Sequence, residues 1–311
     1  MIKLSPNADK NLKLLLPTTN KALALALKDA SVAQLQALGG VKDLSSILET
    51  LLKESSTAND TQNRALLELL KNNPTLKSLS NAALNIKDLL TLLKQDTKQT
   101  QLEKTLQNLL TNIKEIEPKE LQSKLKNSGV FLENQIKNGE NPKELFSKDL
   151  TALLLQTHDK LSNAVTTPNS QEILKHIDKL TLTIDYHQLL SHLSNAASIY
   201  IPYSWDALEE GQISIKKLQK KHYLCDIHLE LKEYGALDLR LALFEKNQLS
   251  IYITTQSEAL KKSILENLQM LKKQLSNAAI ITKEIRFVTK KQQLYDTASN
   301  ENLAMGFEVK A

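Results

Sequence analysis

The chain has 311 residues, 41% hydrophobic but only 4% aromatic, with seven glycines, seven prolines and a net charge of +5 from 40 basic and 35 acidic residues. That length allows two domains, or one domain with a long extension. The charge is lysine-dominated and interspersed, as on soluble helix surfaces, whereas a nucleic-acid binder concentrates positive charge, arginine and stacking rings.

At the start, Lys3, Lys10 and Lys13 surround only Leu14–Leu16 before Pro17, and Ala22–Leu27 is a short apolar stretch flanked by charge. Neither makes a secretory signal core. Any exit from the cytoplasm is therefore expected to use a route that reads no cleavable hydrophobic signal. No apolar run approaches the roughly 20 residues of a membrane span, so membrane insertion is not expected.

Residues 1–198 read as amphipathic helices separated by polar breaks. Thr18-Thr19-Asn20 is expected to cap a helix that stops at Gly39-Gly40. Ser55 to Asn63 forms a polar break, and Asn72-Asn73-Pro74 another. Glu117-Pro118 and Asn141-Pro142 start helices, because proline fits the first helical turn. Asn169 with Glu172 predicts a capped start to a long helix running to Ser194. Leucine pairs such as Leu51-Leu52, Leu69-Leu70, Leu89-Leu90 and Leu109-Leu110 give stripes that need a partner. Heptads are not sustained, so no long coiled coil is expected.

The motif Leu-Ser-Asn-Ala-Ala recurs at Leu79–Ala83, Leu193–Ala197 and Leu275–Ala279, with Leu-Ser-Asn-Ala-Val at Leu161–Val165. Serine and asparagine compete for backbone hydrogen bonds, and asparagine tolerates the left-handed turn, so the motif reads as a helix stop.

After Ala197 the period changes from helical to alternating. Tyr200-Ile-Pro-Tyr-Ser-Trp205 gathers the only tryptophan with two tyrosines; it is either a brace against a sheet edge or a partner contact. Gln212–Leu218 alternates, and three stronger strands follow. The first puts Tyr223, Cys225, Ile227, Leu229 and Leu231 on one face. The second does so with Leu237, Leu239, Leu241 and Leu243, the third with Leu249, Ile251 and Ile253. Asp226, His228, Glu230, Asp238 and Arg240 fall on the other face, which an antiparallel sheet can leave wet.

Tyr234-Gly235 and Lys246-Asn247 are hairpin connections. Thr255 and Glu258 predict a capped helix with the stripe Leu260, Ile264, Leu268, Leu271 and Leu275, and Ile280 to Val288 a last strand. The expected fold class is α+β: a mostly helical region, 1–198, then a small two-layer α/β domain, 199–311, with a four- to five-stranded sheet covered by one helix. About a dozen inward strand side chains and five from the helix, at roughly 1.5–3 kcal/mol each, give such a domain enough burial to fold by itself.

Tyr223 to Phe287 resembles the C-terminal domain of flagellar hook-length control proteins. The residues that carry the resemblance are Leu229–Leu243 for the first hairpin, Leu249–Ile253 for the third strand and Ala259–Leu275 for the helix. The family usually places a proline and leucine–glycine at that hairpin; this chain keeps Gly235, with Tyr234 for the leucine and no proline. A long, cysteine-poor N-terminal part ahead of the domain is also the family's layout.

The resemblance implies that residues 1–198 carry the export signal and sense length while the protein passes from the cytoplasm through the flagellar type III apparatus to the exterior. It implies a C-terminal domain that contacts the cytoplasmic domain of the export gate and switches it from hook-type to filament-type substrates. Hook and hook-cap proteins are the further partners, and no catalysis is required. The alternative is a helical structural or adaptor protein with an α/β docking domain.

Catalytic, cofactor and metal sites are not expected. His222, Asp226, His228 and Glu230 share one strand face, but no second strand supplies an obvious fourth ligand. His187 and His192 point to different sides of a helix and read as surface or groove residues. Cys225 alternates with core aliphatics and reads as a buried small hydrophobe. Asp206, Glu209 and Glu210 cluster near Trp205, where a solvated loop explains them as well as a general acid does. Nucleic-acid binding on the sheet would need Tyr252 as its stacking ring on a face of mixed charge. The candidate partner-binding residues are the first hairpin tip, Glu233, Tyr234, Gly235 and Ala236, together with Trp205.

Overall fold

The computed structural model describes residues 19–38, 46–48, 60–77, 79, 82–95, 100–164, 167–218 and 222–288. In chain order the helices are α1 (Lys21–Asp29), α2 (Val32–Ala37), α3 (Asp60–Asn72), α4 (Pro74–Lys77), α5 (Ala82–Leu93) and α6 (Thr100–Leu109). They continue as α7 (Pro118–Lys126), α8 (Leu132–Lys137), α9 (Pro142–Lys148), α10 (Leu150–Ser162) and α11 (Pro168–Ser194). Strands β1 (Ala197–Tyr200), β2 (Leu208–Lys217), β3 (Tyr223–Leu231), β4 (Gly235–Phe244) and β5 (Gln248–Thr255) follow, then α12 (Glu258–Asn277) and β6 (Ile281–Phe287).

The helical region is organised around α11. Ile173, Ile177, Leu180 and Ile184 belong to a core shared with α5, α6 and α10. Leu189 and Leu190, farther along, belong to a second core with α1 and α3. A helix with apolar residues on most sides is stable where neighbours surround it, and α11 contacts α1, α3, α5, α10 and β1. The leucine pairs thus find their partner in one central helix: Leu69, Leu70, Leu89 and Leu90 are all buried. Leu51 and Leu52 lie outside the described residues. Gly129, at φ +91°, lets the chain pass close to this helix, since a Cβ there would come within 2.8 Å of Ile184 Cδ1.

Several boundaries differ from the sequence reading. Asn20 does cap α1, its Oδ1 accepting from the Leu23 amide, but that helix ends at Asp29. Ser31 and Gln34 form a capping box that starts α2 instead. Gly39 and Gly40 are outside the described residues, as are Ser55 to Asn59. The polar stretch ends earlier than its composition suggests, because Asp60 to Asn63 already belong to α3.

Asn73 stops α3 and caps α4 through the Leu76 amide. Both predicted proline starts hold, at Pro118 and Pro142. The cap of α11 is Thr167 with Ser170, and Pro168 fills the first turn where Asn169 was expected. For α12 the cap is Ser257, which accepts from the Leu260 amide, while Thr255 Oγ1 accepts from the Ser257 amide.

The recurring motif has no single conformation. It ends α11 with Asn195 at φ 48°, and it ends α12 with Ala279 at φ 58°. After α10, Asn163 caps with right-handed geometry. At Ala82-Ala83 the motif instead opens α5. The flanking stripes decide which way each copy is used.

The described strands form a six-stranded sheet in the order β1-β2-β3-β4-β5-β6. The additional strand is β1, which pairs antiparallel with β2. Its four residues are buried on both faces, so they lack the alternation that reveals a strand. Its side chains Ala197, Ile199 and Tyr200 join the helical core. Four antiparallel pairings run through to β5, and α12 then crosses over to place β6 parallel to β5.

Ile213, Leu229, Leu231, Leu237, Leu249, Ile251 and Ile253 are buried in the sheet core. Leu260, Ile264, Leu271 and Leu275 of α12 pack against them, as do Ile116 and α7's Leu121 and Leu125. The inner face is thus covered by one helix of its own domain and by a helix from the N-terminal region.

Candidate functional site

The first hairpin tip is built by β3 and β4. Lys232 to Tyr234 turn, and Gly235 takes φ +69°. A Cβ at Gly235 would meet only Glu230 Oε1 at 3.7 Å, so glycine is favoured by dihedral and not by space. Glu233 is exposed and Tyr234 is 37% exposed, while Gly235 and Ala236 are half-buried.

Trp205 reaches the same end of the sheet by a different route. The Leu208 amide donates to Trp205 O, and the Lys232 amide donates to Ala207 O. The Trp205 turn is therefore tied to the residue that opens the hairpin tip. Its half-buried indole packs against the sheet core, to which Tyr203 and Ile201 also belong. The two sequence-derived candidates thus form one edge of the domain: an exposed tyrosine, a carboxylate and one flank of a tryptophan.

The outer face of the sheet carries a row of paired polar groups. Arg240 donates to both oxygens of Asp226, at 2.7 and 3.2 Å. His228 Nδ1 lies 2.5 Å from Asp238 Oδ1. The Tyr252 hydroxyl donates to Glu284 at 2.5 Å, and the Arg286 guanidinium sits 5.0 Å from the Tyr252 ring centroid. Cross-strand register makes these contacts, since Asp226 faces Arg240, Arg240 faces Tyr252, and Tyr252 faces Arg286.

Asp238, Ser250 and Thr254 are buried on this face, which is less wet than simple alternation suggests. The hydrogen bond to Asp238 raises the His228 pKa above its usual value, against desolvation. Asp226 and His228 are thus each engaged with a neighbouring strand. Among the described residues no set of three His, Cys, Asp or Glu side chains is arranged to hold a metal ion.

On the inner face Cys225 is half-buried among aliphatics, and burial pushes its thiol up to about 12, with Asp226 adding to the shift. A thiol so displaced is protonated at neutral pH and is a poor nucleophile. Glu210 pairs in register with Glu230 on the outer face, while Asp206 and Glu209 are exposed.

His187 corrects the sequence reading. It is not a surface residue but only 3% exposed, with Nδ1 3.1 Å from Ser198 Oγ and its ring against Tyr186 and Tyr200. Desolvation holds its pKa down at about 3, so it is a neutral core group. Sequence reasoning also missed the buried carboxylates Asp149 and Asp185 and the half-buried Glu133. Only Asp149 left a signal, as an N-cap residue directly before an apolar run.

Taken together, the C-terminal sheet carries cross-strand polar pairs on its outer face, a protected thiol on its inner face and an exposed tyrosine at the tip of its first hairpin. No curated protein and no solved structure matches the chain. Residues 211–295, which take in most of β2 and all of β3 to β6, match the model of the family described as flagellar hook-length control protein FliK.

Proposed function

We propose that this protein controls hook length in flagellar assembly and acts by protein–protein binding without catalysis. The observation that carries the reading is the coincidence of the family match, 211–295, with the contiguous β2–β6 sheet and its helix. In this reading residues 1–198 supply the export signal and the length-sensing part. Residues 199–311 switch the type III export apparatus from hook-type to filament-type substrates by contact with the cytoplasmic domain of its export gate. Hook and hook-cap proteins are the other partners, and the protein travels from the cytoplasm through the apparatus to the exterior.

The contact surface is the hairpin tip, Glu233 to Ala236, with Trp205 beside it. An exposed tyrosine next to a partly exposed tryptophan is the residue chemistry enriched at interface centres. A chain with few disulfide-forming groups also suits passage through a narrow channel, because nothing covalent holds it folded.

The deciding experiment is hook length in a deletion strain complemented with the full chain or with a chain truncated before Ser198. Long, uncontrolled hooks without filaments, rescued only by the full chain, are the expected result. Hooks of normal length in the deletion strain would remove the flagellar role and leave a helical adaptor. A full chain carrying Tyr234→Asp is expected to be stable and exported, yet to leave hooks long.

A further inference from the structure

Strand β6 is the open edge of the sheet. At the opposite edge β1 is covered by α11 and by the segment after α7: the Ser198 amide donates to Ser191 Oγ at 2.7 Å, and the Tyr200 hydroxyl donates to Ser128 O. β6 pairs with β5 on one side, and no described strand pairs with its other side. The Val288 amide donates to Ile253 O. By the alternation of a parallel ladder, the amides of Ile285 and Phe287 point away from β5. A row of such groups is a template for another strand.

The ground beside that edge is partly apolar. A groove of about 400 Å³ runs between the end of α12 and β6, lined by Lys272, Ser276, Ile280, Ile281, Lys283 and Ile285 among others. The helical period puts Leu265 on the same side of α12 as Lys272 and Ser276. Leu265 is 50% exposed and Ile281 59% exposed. Lys261, on the same side, holds its ammonium 5.8 Å from the Phe287 ring. An occupant of this edge would therefore meet apolar surface on one face and, along the rim, Lys261, Lys272 and Lys283 with Glu284 as the one carboxylate of the groove lining.

The chain itself contains a segment of that kind. Residues 289–311 lie outside the described residues, and their sequence includes Leu303-Ala-Met-Gly-Phe-Glu-Val309. Leu303, Met305, Phe307 and Val309 alternate with Ala304, Gly306 and Glu308, the period-2 pattern of a half-buried strand. The segment matches the seven residues of β6 in length. Residues 289–302 can reach roughly 45 Å at about 3.3 Å per residue, against a β6 length of roughly 23 Å, so either strand direction is accessible.

We propose that Leu303–Val309 docks on the free edge of β6 as a seventh strand. Leu303, Met305, Phe307 and Val309 face α12, beside Leu265 and Ile285, and Glu308 faces outward on the side that carries Arg286. The docking closes in cis an edge that would otherwise recruit other chains.

The test is amide hydrogen exchange in the full chain and in the same chain ending at Val288. The Ile285 and Phe287 amides are expected to exchange at least about tenfold more slowly in the full chain. A full chain carrying Leu303→Asp and Phe307→Asp is expected to match the shortened one. Equal exchange at both amides in all three proteins would overturn the proposal. So would protection that rises with protein concentration, which would give the edge to a second copy.

Discussion

Asp149 lies fully buried at the start of α10, where its Oδ1 accepts from the Ala152 amide. Glu133 accepts from Gln188 Nε2 at 2.8 Å. Desolvation raises both carboxyls to about 7; for each, backbone hydrogen bonding offsets part of the shift and a nearby carboxyl, Asp185 or Glu133, adds to it. Asp185, which accepts from the Lys21 amide, is raised to about 6, again by burial first.

All three folded values lie above the unfolded ones, near 4. As pH rises from about 4 to about 7 the unfolded chain releases protons from these three carboxyls that the folded chain keeps, so together they lower stability across that window, outweighing the opposite contribution of His187 below about pH 6.5. Each unit of displacement corresponds to about 1.4 kcal/mol. The urea midpoint is therefore expected to be higher at pH 5 than at pH 7.5. Asp149→Asn keeps the capping oxygen and is expected to raise the pH 7.5 midpoint and flatten the dependence. A midpoint that climbs with pH would refute the buried-carboxylate account.

At the scale of elements, ends matter as much as stripes. Helix α11 stops where Asn195 takes φ 48° and the Ala196 amide returns to Ser191 O. Asparagine tolerates that conformation better than a residue with no local hydrogen-bonding group. Asn195→Ala is expected to cost about 1 kcal/mol and Asn195→Gly to be neutral or slightly stabilising. Thermal melts of the two variants decide it, and equal losses would mean that the side chain, not the dihedral, is what counts. Asn163 after α10 has right-handed geometry and Asn277 lies within α12, so substitution at those two has no reason to follow this pattern.

At the scale of the molecule, the helical region and the sheet share contacts. Leu125 of α7 packs against both the helical core and the sheet core, and Ile215 of β2 does the same. Leu125 is half-buried, so Leu125→Ala is expected to cost about 1–2 kcal/mol, less than a fully buried leucine. Because the contact is shared, Trp205 fluorescence, which reports the sheet, and far-UV circular dichroism, dominated by the helices, should shift together. If only one signal moves, the two regions unfold independently.

By itself the sequence determined what periodicity and turn chemistry carry: proline-started helices at Pro118 and Pro142, β3 to β5 with their registered faces, α12 with its stripe, and the hairpin glycine at Gly235. These signals are local, because each strand or helix displays its own alternation. The tertiary structure alone decided what depends on a neighbour. β1 has no alternation because both its faces are covered, and it is a strand only because β2 pairs with it. His187 and Asp185 look like surface residues in the chain, and are interior because α11 is surrounded. Asp226 and His228 resembled possible ligands until register assigned each a partner on β4. Trp205 and the hairpin tip, separated in sequence, come to the same end of the sheet because Leu208 pairs with Leu231 and the Lys232 amide donates to Ala207 O. A polar side chain's role follows from what faces it, and that is fixed by packing between elements, not by spacing within one.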